Sequence, residues 1–303
     1  MHEVRSLEVR GLPIVYDVYG PPTAPTLFCF HGFLDHAGVW PAVIQGLLPR
    51  MRVIAPDFRG HGRSGWIGAG GYYHFLDNIA DAAMLVDAVG AERFSLLGHS
   101  MGGSIALGIA GLYAERVDAV VTLEGMGPPA DEVEAAPRRL KQWIHALAQD
   151  NLRGDAAARR RARKPMPSVE EAAERIRRTN PRVSSARALE IAGYGTEPHE
   201  GGGVVWRFDP LHKTPGGRPY GLAEWFAHWS MVTAPVLSLY GGESEWMLSD
   251  LAARHQQLKS VRVGLVDGAG HNIHHDRPEV VASALEAWIL GDRGALPAGV
   301  RPQ

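Results

Sequence analysis

The chain has a single cysteine, Cys29, among its 303 residues, so it cannot form an intramolecular disulfide. It also lacks an uninterrupted apolar stretch long enough to span a bilayer, and residues 1–10 mix charges with short apolar residues instead of forming the apolar core of a signal peptide. Its formal net charge of −2 gives no electrostatic basis for binding nucleic acid or an anionic membrane. We therefore expect a cytoplasmic protein without nucleic-acid or membrane partners.

Sequence signatures of metal sites are missing as well. His31 follows an apolar run, but no H-E-x-x-H motif or cysteine pair accompanies it. The basic run at residues 159–164 is followed by three glutamates within residues 170–174, so we interpret it as a solvated helix face or loop rather than a phosphate site. The sequence predicts neither a metal nor a cofactor.

Glycine, in contrast, is abundant, and several glycines surround one serine. Residues 96–103 read L-L-G-H-S-M-G-G, which places Ser100 in a G-x-S-x-G motif between an apolar run and an Ala- and Leu-rich run. This pattern is typical of a nucleophile elbow, a tight strand-to-helix turn on which larger neighbours would clash. We predict Ser100 as a nucleophile.

A nucleophilic serine needs a base, and His271 is the best candidate. It ends the sequence D-G-A-G-H at residues 267–271, directly after the strand-like run Val261–Val266. A histidine in a loop after a late strand, C-terminal to the serine, has the position and chain order that this catalytic arrangement requires. The neighbouring His274 and His275 are interpreted as surface or packing residues.

The catalytic arrangement also needs donors for an oxyanion. H-G-F at residues 31–33 follows an early apolar strand, and the glycine allows a sharp turn that exposes a main-chain N–H. The N–H groups of Phe33 and of Met101, the residue after the serine, are the predicted oxyanion donors.

Four motifs together resemble the α/β-hydrolase superfamily. They are H-G-F at residues 31–33, D-F-R-G-H-G-R-S at 57–64, G-H-S-M-G-G at 98–103 and G-A-G-H at 268–271. Three further stretches resemble the serine hydrolase-like proteins: H-G-F-L-D at 31–35, T-N-P-R-V-S at 179–184 and G-G-G-V-V-W at 201–206. The resemblance covers nearly the whole chain and implies an α/β-hydrolase fold, but it says little about the substrate.

Two glutamates could serve as the acid that orients His271. Glu245 follows a late strand-like run, at the usual position in the superfamily. Glu124 ends an earlier run, and residues 115–124 resemble the matching segment of the haloalkane dehalogenases, whose acid can follow this earlier strand. The serine hydrolase-like proteins tend to lack an acid in the later loop. We expect Glu124 and keep Glu245 as the alternative.

The order of strand-like and helical runs predicts the architecture. Short β-branched or aromatic runs at residues 15–19, 26–30, 53–56, 94–97 and 120–123 alternate with helical stretches. This alternation predicts an α/β fold with a mostly parallel sheet and helices on both of its faces.

The alternation stops at residue 125 and resumes at 235. We predict a core domain formed by residues 1–124 and 231–290, with an inserted helical cap at residues 125–230 in which the spacing of apolar residues 140, 143, 144 and 147 predicts one apolar helix face. Residues 291–303, rich in Gly, Pro and Ala, are expected to be a loosely ordered tail.

Side chains of the substrate pocket are harder to predict. Trp225 and Trp229 share one helix face, a pattern of core packing or of a pocket wall. Trp143 of the cap is a further candidate, as are His36 and Trp40 downstream of the oxyanion residues. Asp57 and Arg59 are expected to brace their loop rather than to touch substrate.

These residues predict cofactor-free hydrolysis of a small-molecule carboxylic ester through an acyl-enzyme. Hydrolysis of C–C or thioester bonds and perhydrolysis use the same three residue types and remain alternatives. A ligand-binding protein on a hydrolase scaffold is a further alternative. The sequence carries no signal for an oligomeric state.

Overall fold

A nine-stranded sheet lies at the centre of a computed structural model that describes residues 2–48, 50–148, 154–291, 293 and 296–303. The strands are β1 (His2–Val9), β2 (Leu12–Tyr19), β3 (Thr26–Phe30), β4 (Arg52–Pro56), β5 (Phe94–His99), β6 (Val117–Leu123), β7 (Thr196–Pro198), β8 (Val204–Trp206), β9 (Val236–Gly241), β10 (Val261–Val266) and β11 (Val300–Pro302). The spatial order of the sheet is β1-β2-β4-β3-β5-β6-β9-β10-β11, and β7 pairs only with β8. Neighbours from β4 to β10 are parallel, and β1, β2 and β11 add antiparallel edges. The mostly parallel sheet predicted from the sequence is confirmed.

Helices cover both faces of this sheet. They are α1 (Pro41–Ile44), α2 (Phe75–Val89), α3 (Met101–Leu112), α4 (Ala136–Leu147), α5 (Ala156–Arg161), α6 (Val169–Thr179), α7 (Ser185–Gly195), α8 (Leu222–Ser230), α9 (Leu251–His255), α10 (Ile273–Asp276) and α11 (Pro278–Leu285). Residues of α2, α3 and α8 share one buried cluster, whereas those of α1, α6, α7 and α11 share the other. No helix in the described part of the chain is both long and apolar enough to cross a bilayer.

The central strand β3 shows why the sheet has two apolar faces. All five of its residues are buried, as expected for a parallel strand covered on both sides. Phe28 and Phe30 belong to the cluster under α2 and α3, and Leu27 and Cys29 to the opposite cluster, because successive side chains point to opposite faces.

The inserted segment between β6 and β9 contains α4 to α8 and the β7–β8 pair. α6 and α7 pack on each other, and α7 places Ala188 and Ile191 in the buried cluster of the core. α4 has no buried residue, and Leu140 and Ile144 are 47% and 53% exposed. The predicted apolar face of α4 is therefore largely in contact with solvent. Residues 149–153 of the predicted cap lie outside the described residues.

The helix α8 differs from the prediction that residues 125–230 all belong to a cap. It packs on α3, and a Cβ at Gly111 of α3 would lie 2.8 Å from the His228 carbonyl oxygen. Trp225 and Trp229 are 7% and 0% exposed in the same buried cluster as α3. The apolar face of α8 thus packs in the same buried cluster as α3.

The C-terminal end also differs from the prediction of a loosely ordered tail. Residues 300–302 form β11, which pairs with β10, and Val300 is buried among core residues. The unpaired edge of β10 provides the hydrogen-bonding groups that order this segment. Residues 292, 294 and 295 of the predicted tail lie outside the described residues.

The basic run at residues 159–164 is not simply a solvated face. Arg159 is 2% exposed, and its Nε and Nη2 donate to the Asp209 carboxylate at 2.9 and 2.8 Å. The guanidinium groups of Arg160 and Arg163 lie 4.1 and 5.0 Å from the Trp66 ring centroid. Charged partners and an aromatic face therefore anchor this run to the rest of the protein.

Candidate active site

Ser100 lies on the sharp turn between β5 and α3. Its backbone has φ 50° and ψ −113°, a conformation that costs a non-glycine residue about 1–3 kcal/mol. The Ser100 N–H donates to the Leu123 carbonyl at 2.9 Å, and the Ser100 carbonyl accepts from Gly103 at 3.0 Å. These bonds hold the strained turn that characterises a nucleophile elbow.

Close main-chain contacts explain the glycines around Ser100. A Cβ at Gly98 would lie 2.2 Å from the Gly102 oxygen, and a Cβ at Gly102 would lie 2.0 Å from the Phe30 oxygen. Real Cβ atoms essentially never approach other atoms closer than 3.0 Å. A larger residue at either position would displace main chain beside the serine.

His271 is brought into contact with Glu124. The His271 Nδ1 lies 2.6 Å from Glu124 Oε2. Because an ionised carboxylate can only accept, Nδ1 carries the hydrogen and Nε2 of the neutral ring has a free lone pair. His271 and Ser100 line the same cavity. No hydrogen bond joins their side chains among the described residues, which is common in ligand-free hydrolases.

The Glu124 carboxylate is held from three sides. Besides His271, the Gly241 N–H donates to Oε1 and the Ser244 hydroxyl to Oε2, each at 2.8 Å. Glu124 itself has φ 50°, an uncommon conformation directly after β6. The alternative acid, Glu245, is exposed in the loop after β9, and no hydrogen bond links it to His271 in the described part of the chain. That loop contributes Ser244 instead.

The two predicted oxyanion donors face the same cavity. Phe33 and Met101 both line it, and their main-chain N–H groups have no acceptor among the residues that the structure describes. Met101 is also the first residue of α3, where the helix dipole favours negative charge. Both N–H groups are available to an anionic oxygen.

Two buried histidines fix the oxyanion loop, which we define as residues 32–35. The His61 Nε2 accepts the Leu34 N–H at 3.2 Å. The His31 Nδ1 donates to the Gly32 carbonyl oxygen at 2.7 Å, and its Nε2 accepts the Phe58 N–H at 3.0 Å. Burial lowers the pKa of both imidazoles, so each neutral ring can accept at one nitrogen and donate at the other. No sequence motif indicates this role for His31 or His61.

His99, the residue before Ser100, is a site residue whose role the sequence motifs do not indicate. Its Nε2 donates to the His271 carbonyl oxygen at 3.0 Å. Burial lowers the pKa of His99 well below its usual value, and the nearby His274 and His271 lower it further. The neutral ring therefore supports the main chain that carries His271. Its place beside Ser100 is the available sequence signal.

The cavity that contains Ser100 has a volume of about 620 Å³, within the range of small-molecule sites. Much of its lining is apolar, including Phe75, Met126, Pro128, Trp246, Leu248 and Leu251. The Trp246 ring lies 5.5 Å from the His271 ring, and Trp246 is 60% exposed. An exposed aromatic ring therefore lies beside His271 in the cavity lining.

None of the five predicted pocket residues lines this cavity. His36 is buried with its Nε2 3.0 Å from the Ile191 oxygen, and it lines a second, smaller cavity of about 260 Å³. Trp40 is fully buried in the core, with its ring 5.2 Å from that of His274.

The three other predicted pocket tryptophans pack elsewhere. Trp143 meets the Tyr72 ring edge to face at 5.0 Å. Trp225 and Trp229 are part of the core below α8. Helical spacing shows that such side chains share a helix face, but it cannot distinguish a face that packs in the core from one that lines a pocket.

Comparison with known sequences identifies the family of this chain. The sequence model of a family described as alpha/beta hydrolase fold matches residues 25–278, which is most of the chain. The chain belongs to the α/β-hydrolase family. It is a hydrolase by this membership, and the resemblance predicted from the four sequence motifs is confirmed.

Three proteins illustrate the range of similarity. A serine hydrolase-like protein of Danio rerio is 32% identical over 201 residues, which are 66% of this chain and 58% of the relative. An esterase of Mycobacterium tuberculosis is 26% identical over 273 residues, 87% of this chain and 84% of that protein. The thioesterase domain from the curacin biosynthetic pathway is 26% identical with a TM-score of 0.79, covering 93% of this chain and 98% of that domain.

Proposed function

We propose that this protein is a serine hydrolase that cleaves carboxylic esters through an acyl-enzyme. Ser100 attacks the ester carbonyl while His271 Nε2 accepts its proton, and Glu124 keeps the imidazole in the required tautomer. The N–H groups of Phe33 and Met101 stabilise the oxyanion of the tetrahedral intermediate.

The first half of the reaction ends when the protonated His271 gives its proton to the leaving alcohol, the bond between the acyl carbon and the alcohol oxygen breaks, and the acyl group stays on Ser100. Water, deprotonated by the same Nε2, then attacks the acyl carbon. A second tetrahedral intermediate collapses to release the acid and the free serine.

The observation that carries the proposal is the 2.6 Å contact between His271 Nδ1 and Glu124 Oε2, at a cavity that also contains Ser100. The contact leaves Nε2 as the free nitrogen of the base. The apolar lining around Met126 and Leu248 suits an ester with an apolar acyl or alcohol part.

The test is a series of aryl esters of graded acyl length, with the purified protein and its Ser100→Ala variant. We expect turnover by the parent protein, loss of turnover in the variant, and labelling of the parent at Ser100 by a fluorophosphonate. Slow single modification without turnover of any ester would overturn the proposal in favour of a ligand-binding protein.

Thioester hydrolysis is the second candidate, favoured by the similarity to the curacin thioesterase domain. The same three side chains can serve it, because the acyl-enzyme is identical. The two candidates are distinguished by comparing kcat/KM for an oxygen ester and a thioester that carry the same acyl group. A higher kcat/KM for the oxygen ester supports the first proposal, and the reverse supports the second.

A further inference from the structure

A second cluster of ionisable side chains lies beside the proposed catalytic residues. The Asp35 Oδ2 is 3.3 Å from His275 Nε2 and 3.5 Å from His274 Nε2. One ligand atom from each of the three residues lies within 4.8 Å of the other two. Asp35 belongs to the oxyanion loop, and both histidines belong to α10.

The imidazoles of this cluster have unused hydrogen-bonding atoms. In the described part of the chain, neither nitrogen of His274 has a hydrogen-bond partner, and neither does His275 Nε2. His274 is 0% exposed and His275 8% exposed. Buried polar groups without partners are costly, so these nitrogen atoms are free to bind a ligand. The two contacts with Asp35 do not provide the missing hydrogen bonds.

The distances fit a tetrahedral metal ion. Bonds of about 2.0–2.1 Å to histidine nitrogen and carboxylate oxygen place neighbouring ligand atoms roughly 3.3–3.4 Å apart. The distances from Asp35 Oδ2 to the two histidine Nε2 atoms, 3.3 and 3.5 Å, agree with this separation between ligand atoms. The two histidine nitrogens lie within 4.8 Å of each other and would have to come closer together to share one ion.

We propose that Asp35, His274 and His275 bind a divalent transition metal ion of the zinc type. Two imidazoles and one carboxylate are a donor set that Zn²⁺ prefers and that Mg²⁺, which requires oxygen ligands, does not. Asp35 and His275 line the smaller cavity of about 260 Å³, which has room for a water as the fourth ligand.

The ion would join two segments of the proposed catalytic machinery. Asp35 follows Phe33 by two residues, and His274 follows His271 by three. A metal bond across the cluster therefore fixes the oxyanion loop relative to the loop of the proposed base. The inference does not depend on the ester hydrolysis proposed above, because metal binding is measured without substrate.

The test uses untagged protein, freed of metal with a chelator and titrated calorimetrically with Zn²⁺. We expect one Zn²⁺ per chain, no binding of Mg²⁺, and a rise in Tm of about 5 °C at a zinc concentration 100-fold above Kd. Asp35→Asn and His275→Gln should each weaken zinc binding tenfold or more. Asp35→Asn keeps the Oδ1 that accepts the His36 N–H at 3.0 Å while it removes the charge.

Two control variants locate the ion. His145→Ala, an exposed position on α4, should leave the zinc affinity unchanged. His271→Ala should also retain it, because His271 is not a ligand. Loss of binding in His271→Ala together with normal binding in Asp35→Asn would place the ion at the proposed triad and overturn the inference.

Folding of the variants is checked from their Tm in chelator. If a variant does not fold, the visible spectrum of the parent protein loaded with Co²⁺ tests the proposed metal site instead. Intense bands of four-coordinate Co²⁺ that are displaced by stoichiometric Zn²⁺ support the site. Absence of zinc binding by the parent protein, or weak six-coordinate bands, would overturn it.

Discussion

The imidazole of His271 and the carboxylate of Glu124 meet at 2.6 Å across 147 residues of sequence. Glu124 follows β6 and His271 follows β10, and β9 lies between these strands in the sheet. The Glu124 side chain therefore reaches past the end of β9, where Gly241 donates its N–H to the same carboxylate. A Cβ at Gly241 would lie 2.2 Å from the Gly270 oxygen, so this crossing requires glycine.

The first prediction separates the two candidate acids. Glu124→Gln should lower kcat by up to roughly ten-thousandfold, because an amide can donate to Nδ1 and so favour the wrong tautomer. Glu245→Gln should change kcat little, because Glu245 is exposed and not bonded to His271. Steady-state kinetics and Tm of both variants check this. A large loss in Glu245→Gln alone would reverse the assignment.

The second prediction concerns the nucleophile and the base. Ser100→Ala and His271→Ala should each reduce ester hydrolysis by roughly a thousandfold or more, and the double variant should be little worse than either, since the residues act as a unit. Folding should persist, because Ala at residue 100 keeps the bonds made by its main chain. Near-parental turnover by either single variant contradicts the assignment.

Much of the fold, and the strained turn at Ser100, can be predicted from local sequence. Alternating strand-like and helical runs specify a parallel sheet, and G-x-S-x-G places Ser100 on a strained turn because close main-chain contacts exclude larger side chains. Short-range sterics suffice for these features. The choice between Glu124 and Glu245 depends instead on the order of β6, β9 and β10 in the sheet. The spacing of residues along the sequence does not reveal this order.

The pocket could not be predicted for a related reason. Trp225 and Trp229 share a helix face, but only the packing of α8 on α3 makes that face core. Trp246, which lines the cavity, belongs to no periodic pattern. The order of residues 300–302 likewise comes from the free edge of β10, a tertiary feature that the composition of the tail does not reveal.

The third prediction tests the cavity lining. Trp246→Ala should change the preference for acyl length, because it removes an aromatic ring 5.5 Å from that of His271. Trp143→Ala is the matched control, since Trp143 contacts Tyr72 outside the cavity. Ratios of kcat/KM across an aryl ester series are the measurement. Equal ratios in parent and Trp246→Ala would show that Trp246 does not contact substrate.

The fourth prediction compares two helical glycines. A Cβ at Gly103 in α3 would lie 2.5 Å from the Gly125 Cα, whereas a Cβ at Gly193 in α7 meets nothing within 4 Å. Gly103→Ala should therefore destabilise the protein by about 1–3 kcal/mol or more, and Gly193→Ala should stabilise it by about 0.5–1 kcal/mol through helix propensity. Urea unfolding measures both. Similar effects in the two variants would show that α3 does not require close approach at Gly103.

The fifth prediction concerns acid stability. Burial lowers the pKa of His212 to about 4, while an unfolded histidine has a pKa near 6.5. Between these values the unfolded state binds more protons than the folded state, so the free energy of unfolding falls as pH decreases from 6.5 towards 4. One such histidine contributes a slope of at most about 1.4 kcal/mol per pH unit. His31, His61 and His99, whose pKa values burial also lowers, add to the loss.

His212→Gln should reduce this slope by about the contribution of one titrating histidine, because glutamine does not bind a proton in this pH range. Its amide can still donate to the Arg59 carbonyl oxygen, which His212 Nε2 contacts at 3.0 Å, so the variant tests proton binding more than lost hydrogen bonding. Urea unfolding between pH 4.5 and 8 gives the two curves. They should run parallel above pH 7, where His212 is neutral in both states, and converge below pH 6.5. Curves that stay parallel down to pH 4.5 would mean that His212 gains its proton in the folded protein as readily as in the unfolded chain.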